Sequence, residues 1–182
     1  MPKEIEMKVQ LKNPADLRKK LKELGAEYIG KEKQINITFD SSYFRNVELE
    51  KFLRLRKTEK NTILTFKGKD EPNTNAKIRE EIEVKVDDFD KMLEILTLLG
   101  FVVKIRYEKN RETFHFDGGE VVIDEFPKLG WFCEIEARSE SDIMKIAEKL
   151  SIDPKELTNK TYWYFMEEYM KKTNQKLKEF AF

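Results

Sequence analysis

Glu4-Ile5-Glu6-Met7-Lys8-Val9 alternates charged and apolar side chains, the period-2 pattern of a strand with one buried face. A helix signal follows it. Asn13 is a capping residue and Pro14 suits a first helical position. Leu17, Leu21 and Leu24 fall on one face, and Gly25 stops the run. The same design returns at Glu81-Ile82-Glu83-Val84-Lys85-Val86. There Asp87 or Asp88 is the cap, Met92, Leu96 and Leu99 form the apolar face, and Gly100 is the stop. A third, partial copy is Glu134-Ile135-Glu136-Ala137, with a helix from a Ser141 or Asp142 cap carrying Ile143, Ala147 and Leu150. The first two copies imply an internal duplication of a strand–helix–strand unit.

Further alternating stretches predict strands over Gln34 to Asp40, Phe52 to Lys57, Thr62 to Lys69, Lys104 to Phe116 and Glu120 to Phe126. Asp70-Glu71-Pro72-Asn73, Asp117-Gly118-Gly119 and Phe126-Pro127-Lys128-Leu129-Gly130 read as turns, with a mobile loop expected over Glu71 to Lys77. The aromatic stretch from Asn159 to about Lys178 predicts a closing helix. About eight strands with three or four helices give an α+β class, as a single domain over residues 1–182.

Composition narrows the function. Lys+Arg and Asp+Glu each number 35, so the formal net charge is zero, which argues against a nucleic-acid coat. No apolar run spans a bilayer, and the Met1-Pro2-Lys3-Glu4 start does not resemble a signal peptide, so a soluble, cytoplasmic protein is expected, with neither membrane nor nucleic acid as partner. A single cysteine, Cys133, excludes an internal disulfide and a cysteine-based zinc cluster. The charged fraction of 38% resembles that of thermophile proteins.

The polar strand faces carry charge in same-sign groups: Glu-x-Glu three times, Arg54-x-Arg56, Lys67-x-Lys69 and Lys109-x-Arg111. A solvated sheet face explains any one of them. If the sheet closes with its helices outside, these faces meet in a tunnel. Basic side chains there would bind a polyanion, and clustered carboxylates a hard divalent cation that bridges it. Oxygen ligands favour Mg²⁺ or Mn²⁺ over zinc. His115 continues the inward parity of Arg111 and Thr113, but an isolated strand histidine is more often structural. Cys133 falls on the apolar parity, expected under a helix. The Tyr162–Phe165 aromatics read as core and lid packing before base stacking, and the Lys171 to Lys178 stretch as a solvated helix end.

These residues, in order, resemble the CYTH superfamily of triphosphate tunnel metalloenzymes, which contains class IV adenylate cyclases, thiamine triphosphatases and inorganic triphosphatases. The likeness runs through Glu4-Ile5-Glu6-Met7-Lys8, Leu53-Arg54-Leu55-Arg56, Thr65-Phe66-Lys67-Gly68-Lys69 and Arg79-Glu80-Glu81-Ile82-Glu83. It continues through Lys109-Asn110-Arg111-Glu112-Thr113, Ile123-Asp124-Glu125-Phe126, Leu129 to Glu136, and Thr161-Tyr162. The resemblance implies an eight-stranded antiparallel barrel, or tunnel, with helices packed on the outside. It implies that Glu4, Glu6, Asp124, Glu134 and Glu136 hold Mg²⁺ or Mn²⁺. Lys8, Arg54, Arg56, Lys67, Arg79, Lys109, Arg111 and Lys160 would bind the triphosphate, with Lys8, Lys67 and Arg111 also catalytic, while Glu81 and Glu83 orient the bases. The substrate implied is a triphosphate compound (ATP, tripolyphosphate or thiamine triphosphate), converted by a class IV adenylate cyclase-like reaction to cyclic AMP and pyrophosphate, or hydrolysed. A non-catalytic polyphosphate- or nucleotide-binding module is the alternative, and a homodimer is left open. One departure stands out. Members often carry Asp-x-Tyr on the second strand where this chain has Asn36-Ile37-Thr38, which counts against thiamine triphosphate.

Overall fold

A computed structural model describes residues 3–40, 52–72 and 74–182. Strand β1 (Lys3–Leu11) leads into helix α1 (Pro14–Glu23) and the long strand β2 (Glu27–Asp40). Strands β3 (Phe52–Lys57), β4 (Thr62–Lys67) and β5 (Lys77–Val86) follow, then α2 (Phe89–Leu98) and β6 (Val102–Phe116). The chain continues through β7 (Gly119–Phe126), β8 (Gly130–Glu136), α3 (Glu140–Lys149), a 3₁₀ turn (Pro154–Glu156), α4 (Tyr162–Thr173) and β9 (Glu179–Phe180).

The strands pair in the order β2-β3-β4-β5-β1-β8-β7-β6, and a β2–β6 pairing joins the two ends into an eight-strand antiparallel ring. This is the tunnel that the family resemblance implied and that the charge pattern gave only on the condition of closure. The β2–β6 ladder runs from Glu27–His115 to Asp40–Val102, with register shifts at Tyr28/Gly30 and Thr38/Phe39. β9 adds to β6 in parallel.

Local chemistry accounts for the element ends. The Asn13 side chain caps α1 by accepting the Ala15 amide, and the Asp88 carboxylate caps α2 through the Asp90 and Lys91 amides. Gly25 and Gly100 follow these helices with φ of 75° and 90°, a conformation open to glycine at little cost. Ser139 caps α3 by accepting the Asp142 amide, so this helix starts ahead of the expected Ser141 or Asp142. The alternating pattern gives no warning of this, because the deciding hydroxyl lies before the apolar run. α4 is shorter than residues 159–178: Asn174, at φ 52° and ψ 38°, ends it, and the chain turns back to the sheet. The expected mobile loop over Glu71 to Lys77 includes Asn73, which lies outside the described residues.

Apolar strand faces point outward under the helices. Met7, Val9, Cys133 and Ile135 pack with Leu17 and Leu21 of α1 and Ile143, Ile146 and Ala147 of α3. Ile37, Leu53 and Leu55 lie under Phe89 and Leu96 of α2. The third cluster differs: Ile105, Tyr107, Phe126 and Phe132 share the inner strand faces of Lys109, Asp124 and Glu134 and meet Met166 of α4, with Phe180 of β9 completing that cluster. Each fully buried side chain of this kind contributes about 1.5–3 kcal/mol. Cys133 is buried, its thiol pKa pushed up by burial first and then by Glu134 and Asp124, which suits a packing role.

The duplication is visible in the topology. Replacing β1–β4 by β5–β8 and the reverse maps the ring order onto itself, with β1–β5 and β2–β6 as the self-paired ladders. Each half places one helix, α1 or α2, between its first two strands. The third Glu-Ile-Glu unit, on β8, corresponds under this exchange to β4 and not to β1 or β5.

Candidate functional site: a charged tunnel

With the apolar side chains turned outward, alternation leaves the charged ones inside the ring. They line a cavity of about 920 Å³ that takes Glu4, Glu6 and Lys8 from β1, Arg54 and Arg56 from β3, and Lys67 from β4. β5 adds Lys77, Arg79, Glu81 and Glu83, β6 adds Lys109 and Arg111, and β8 adds Glu134 and Glu136. Thr161, Tyr162, Trp163 and Met166, around the start of α4, form another wall.

Burial on this scale demands pairing. Lys67 lies 2.7 Å from Glu4 and 2.8 Å from Glu81, and Arg79 3.2 Å from Glu4. Lys77 reaches Glu6 at 2.7 Å. Lys8, 1% exposed, lies 3.2 Å from Glu134 and 3.6 Å from Glu6, yet its Nζ has no hydrogen bond of good geometry. Burial opposes the Glu6 charge, but Lys77, Lys8, Lys67 and Arg79 hold its pKa well below the carboxylate range. Burial likewise opposes the Lys8 charge, and Glu6 and Glu134 hold that pKa up. Asp124, wholly buried, accepts from Lys109 at 2.7 Å, from two nitrogens of Arg111 at 2.8 and 2.6 Å, and from the Tyr162 hydroxyl at 2.7 Å. Against burial, Arg111 and Lys109 keep its pKa below the usual range.

Two places in the tunnel are short of countercharge. Arg56 donates to Asn36 at 3.2 Å and pairs with no carboxylate among the described residues. Burial, then Arg54 and Arg111, lowers its pKa to about 10. Such uncompensated cations favour a polyanion. At the other extreme, Glu136 has no salt bridge among the described residues. The residue is solvent-exposed, and partial desolvation of its carboxylate, then the charges of Glu4, Glu120 and Glu6, raises its pKa to about 7. Concentrated negative potential with only oxygen donors fits a hard divalent cation.

Twelve of the sequence-derived site residues fall in or against this tunnel. Asp124 does so beneath the lining, as the counter-ion of Lys109 and Arg111. Lys160 does not: it is exposed, with its ammonium 5.1 Å from the Tyr164 ring. The five carboxylates expected to hold metal do not gather as one cluster, and among the described residues no three ligand side chains form a ready-made metal cage. The physical reason is that Glu4, Glu6, Glu134 and Asp124 are each drawn to neighbouring bases. Glu81 and Glu83 sit beside Arg54 at 3.8 and 3.7 Å, as base-orienting groups would. His115 lies outside the cavity lining, 55% exposed between Glu27 and Glu120.

A family model described as the CYTH domain matches residues 2–162. The chain belongs to the CYTH family. A Methanocaldococcus jannaschii relative named "Putative adenylate cyclase" is 34% identical over 171 residues, covering 87% of this chain and 95% of its own. The solved structure of the PH1012 protein from Pyrococcus horikoshii OT3 superposes with a TM-score of 0.76 at 26% identity, covering 89% of this chain and 98% of that one. A Hippeastrum protein described as a "putative adenylyl cyclase" with a dominant triphosphatase activity shares the fold at 15% identity and a TM-score of 0.67, covering 96% of this chain and 97% of that one. Among the described residues no helix is long and apolar enough to cross a membrane.

Several residues of this CYTH tunnel escape the sequence reading. Lys77 lies two positions before Arg79, on the same parity, and would have been found by extending that strand backwards. Glu120 lies on the tunnel face and raises the Glu136 pKa. Asn36 and Gln34 are buried on the inner side of β2, with Asn36 Nδ2 and Gln34 Oε1 lacking partners. Neutral amides carry no charge pattern to reveal them. Tyr162 was expected in core packing; it is that, and it also serves Asp124.

Proposed function

We propose that this chain is a divalent-metal-dependent enzyme acting on a triphosphate compound, by cyclase-like chemistry or by hydrolysis. The observation that carries the reading is that one tunnel holds both Arg56, without a carboxylate partner among the described residues, and Glu136, set among like charges. A chain of phosphates answers the first and a cation the second. Glu4, Glu6, Glu134 and Glu136 are the ligands that would hold Mg²⁺ or Mn²⁺. Such an ion, when bound, supplies neutralisation of phosphate oxygens and activation of the nucleophile.

Arg54 and Arg56 from β3, with Lys109 and Arg111 from β6, fix the phosphates and stabilise charge on the leaving group. Lys8 and Lys67, held between carboxylates, and Arg79 complete the clamp. Tyr162, whose pKa burial and Asp124 raise well above the ordinary value, stays protonated and holds Asp124 in line. Attack by water gives diphosphate and phosphate. Attack by the ribose 3′-hydroxyl of ATP gives cyclic AMP and pyrophosphate. The Methanocaldococcus jannaschii relative is named a putative adenylate cyclase, and the Hippeastrum protein is described as having a dominant triphosphatase activity.

Phosphate release from tripolyphosphate, ATP and thiamine triphosphate with Mg²⁺ or Mn²⁺, with cyclic AMP assayed in parallel, tests the reading. Metal-dependent turnover of at least one is expected. Tight binding without turnover of any assigns the chain to non-catalytic polyphosphate binding instead.

A further inference from the structure

Helix α2 carries apolar side chains on two sides. Phe89 and Leu96 are buried in the cluster with β2 and β3. Beside them Ile95, Leu98 and Leu99, spaced i, i+3 and i+4, form a second stripe that faces solvent. These three are 49%, 80% and 70% exposed, and Val103, near the start of β6, is 42% exposed. Leu99 thus leaves the packed face on which the apolar spacing put it. Residues 95–103 are also the longest uncharged run in a chain that is 38% charged.

The internal duplication shows that the fold does not need this stripe. α1 and α2 hold equivalent places. Each begins after a capping side chain, Asn13 or Asp88, and is followed by a left-handed glycine, Gly25 or Gly100. Counted from these ends, Leu21 matches Leu96, and both are buried. Lys20 and Glu23 then match Ile95 and Leu98. The same outer positions are charged on one helix and apolar on the other.

The helix ends differ as well. The last turn of α1 holds Lys20 and Lys22, that of α3 Lys149, and that of α4 Lys171 and Lys172, while the last turn of α2 holds no basic residue. The negative end of the α2 dipole lacks a cation of its own. Lys91, an exposed side chain, lies one turn before Ile95 on the solvent-facing stripe.

We propose that this stripe is the contact of a twofold homodimer in which α2 packs antiparallel on α2 of a second copy. Pairing about the Ile95–Leu98 stretch sets the two stripes together. It also brings Lys91 of each copy to the C-terminal end of the other helix, supplying in trans the cation that this end lacks. The four exposed side chains present roughly 400 Å² of apolar surface, within the range of patches that are often functional. Two copies supply about 800 Å², close to the apolar share of a standard interface of about 1,600 Å². An anionic membrane is the poorer partner, because Asp87, Asp88, Asp90 and Glu94 outnumber Lys91 around the stripe.

Sedimentation velocity at protein concentrations up to about 100 μM, where micromolar association is read directly, is the experiment. The native chain should sediment as a dimer. Leu98→Glu with Leu99→Glu should give a monomer with an unchanged thermal melt, since both side chains are exposed. Glu23→Lys, at the matching position on α1, should leave the dimer intact. Lys91→Glu should weaken association roughly tenfold through its two symmetric contacts with helix ends, and Lys91→Arg should not. A monomeric native chain overturns the proposal, including one that instead pellets with phosphatidylcholine/phosphatidylglycerol vesicles. A dimer that survives Leu98→Glu with Leu99→Glu also overturns it, and undiminished association in Lys91→Glu overturns the antiparallel arrangement.

Discussion

Tyr162 donates its phenolic hydrogen to Asp124 Oδ2 at 2.7 Å, tying the first residue of the closing helix to the most deeply buried carboxylate of the tunnel. The contact joins two distant parts of the sequence. It also packs Tyr162 beneath two cations, with Lys8 5.3 Å and Lys109 5.1 Å from its ring centre.

Tyr162→Phe keeps the ring and its cation contacts and deletes one donor to a charged acceptor. A loss of about 2 kcal/mol is expected, measured by urea denaturation without added metal. Asp124→Asn should cost more, about 3–5 kcal/mol, because it leaves Lys109 and Arg111 buried beside a neutral group. A smaller loss for Asp124→Asn than for Tyr162→Phe would contradict the counter-ion role.

Glu136 is a carboxylate that the fold holds against repulsion. Glu136→Gln should therefore stabilise the metal-free protein while lowering metal-dependent turnover at least tenfold. Opposite signs for stability and activity are what a functional charge predicts. Thermal melting and phosphate release on the same preparation read both, and a fall in melting temperature would remove the repulsion argument.

The same residue sets a pH dependence. Its folded-state pKa, about 7, lies above the ordinary 4.5. The contribution of Glu136 to stability is thus fully present below pH 4.5 and is lost as the pH rises through 7. Metal binding runs the other way, since the cation displaces a proton, so Mn²⁺ affinity should rise between pH 6 and 8. Titration calorimetry in buffers of different ionisation enthalpy should show a proton released at pH 6 and little release at pH 8. Glu136→Gln should abolish the difference.

Alternation made the lining legible, once closure was granted. Because β1, β3 and β6 place every second residue inside, reading Glu4-x-Glu6-x-Lys8, Arg54-x-Arg56 and Lys109-x-Arg111 was nearly the same as reading the lining. The resemblance to the CYTH superfamily supplied Asp124, and the aromatic stretch from Asn159 supplied the closing helix; no period-2 argument joins either to the rest. What stayed hidden depended on the third dimension. Lys160 is two residues from Tyr162, yet it points to the Tyr164 ring because it precedes the helix. Asp124 carries the same charge as Glu4, yet its neighbours are Lys109, Arg111 and Tyr162, so it answers bases while Glu136 faces acids. The Ser139 cap was missed because capping depends on which hydroxyl meets an amide, not on periodicity.

Arg56 tests whether the tunnel is built for an anion. Its guanidinium is part-buried, donates to Asn36 and meets Arg54 and Arg111 without a carboxylate of its own among the described residues. In a merely structural sheet such a group is a liability, and its removal would relieve repulsion at little cost in packing. Arg56→Ala should leave stability within about 1 kcal/mol of the native value, because lost stem packing offsets relieved repulsion. It should weaken tripolyphosphate binding by roughly 10- to 100-fold, the scale of truncating a buried charge contact of about 2–3 kcal/mol. Arg54→Ala provides the contrast. Arg54 already stands 3.7–3.8 Å from Glu81 and Glu83, so its loss should weaken binding and also release two carboxylates to repel the ligand. Calorimetry with tripolyphosphate, paired with urea melts of both variants, separates the effects. Unchanged binding in Arg56→Ala with lowered stability would make this arginine a structural strut and remove the main support for a phosphate-binding tunnel.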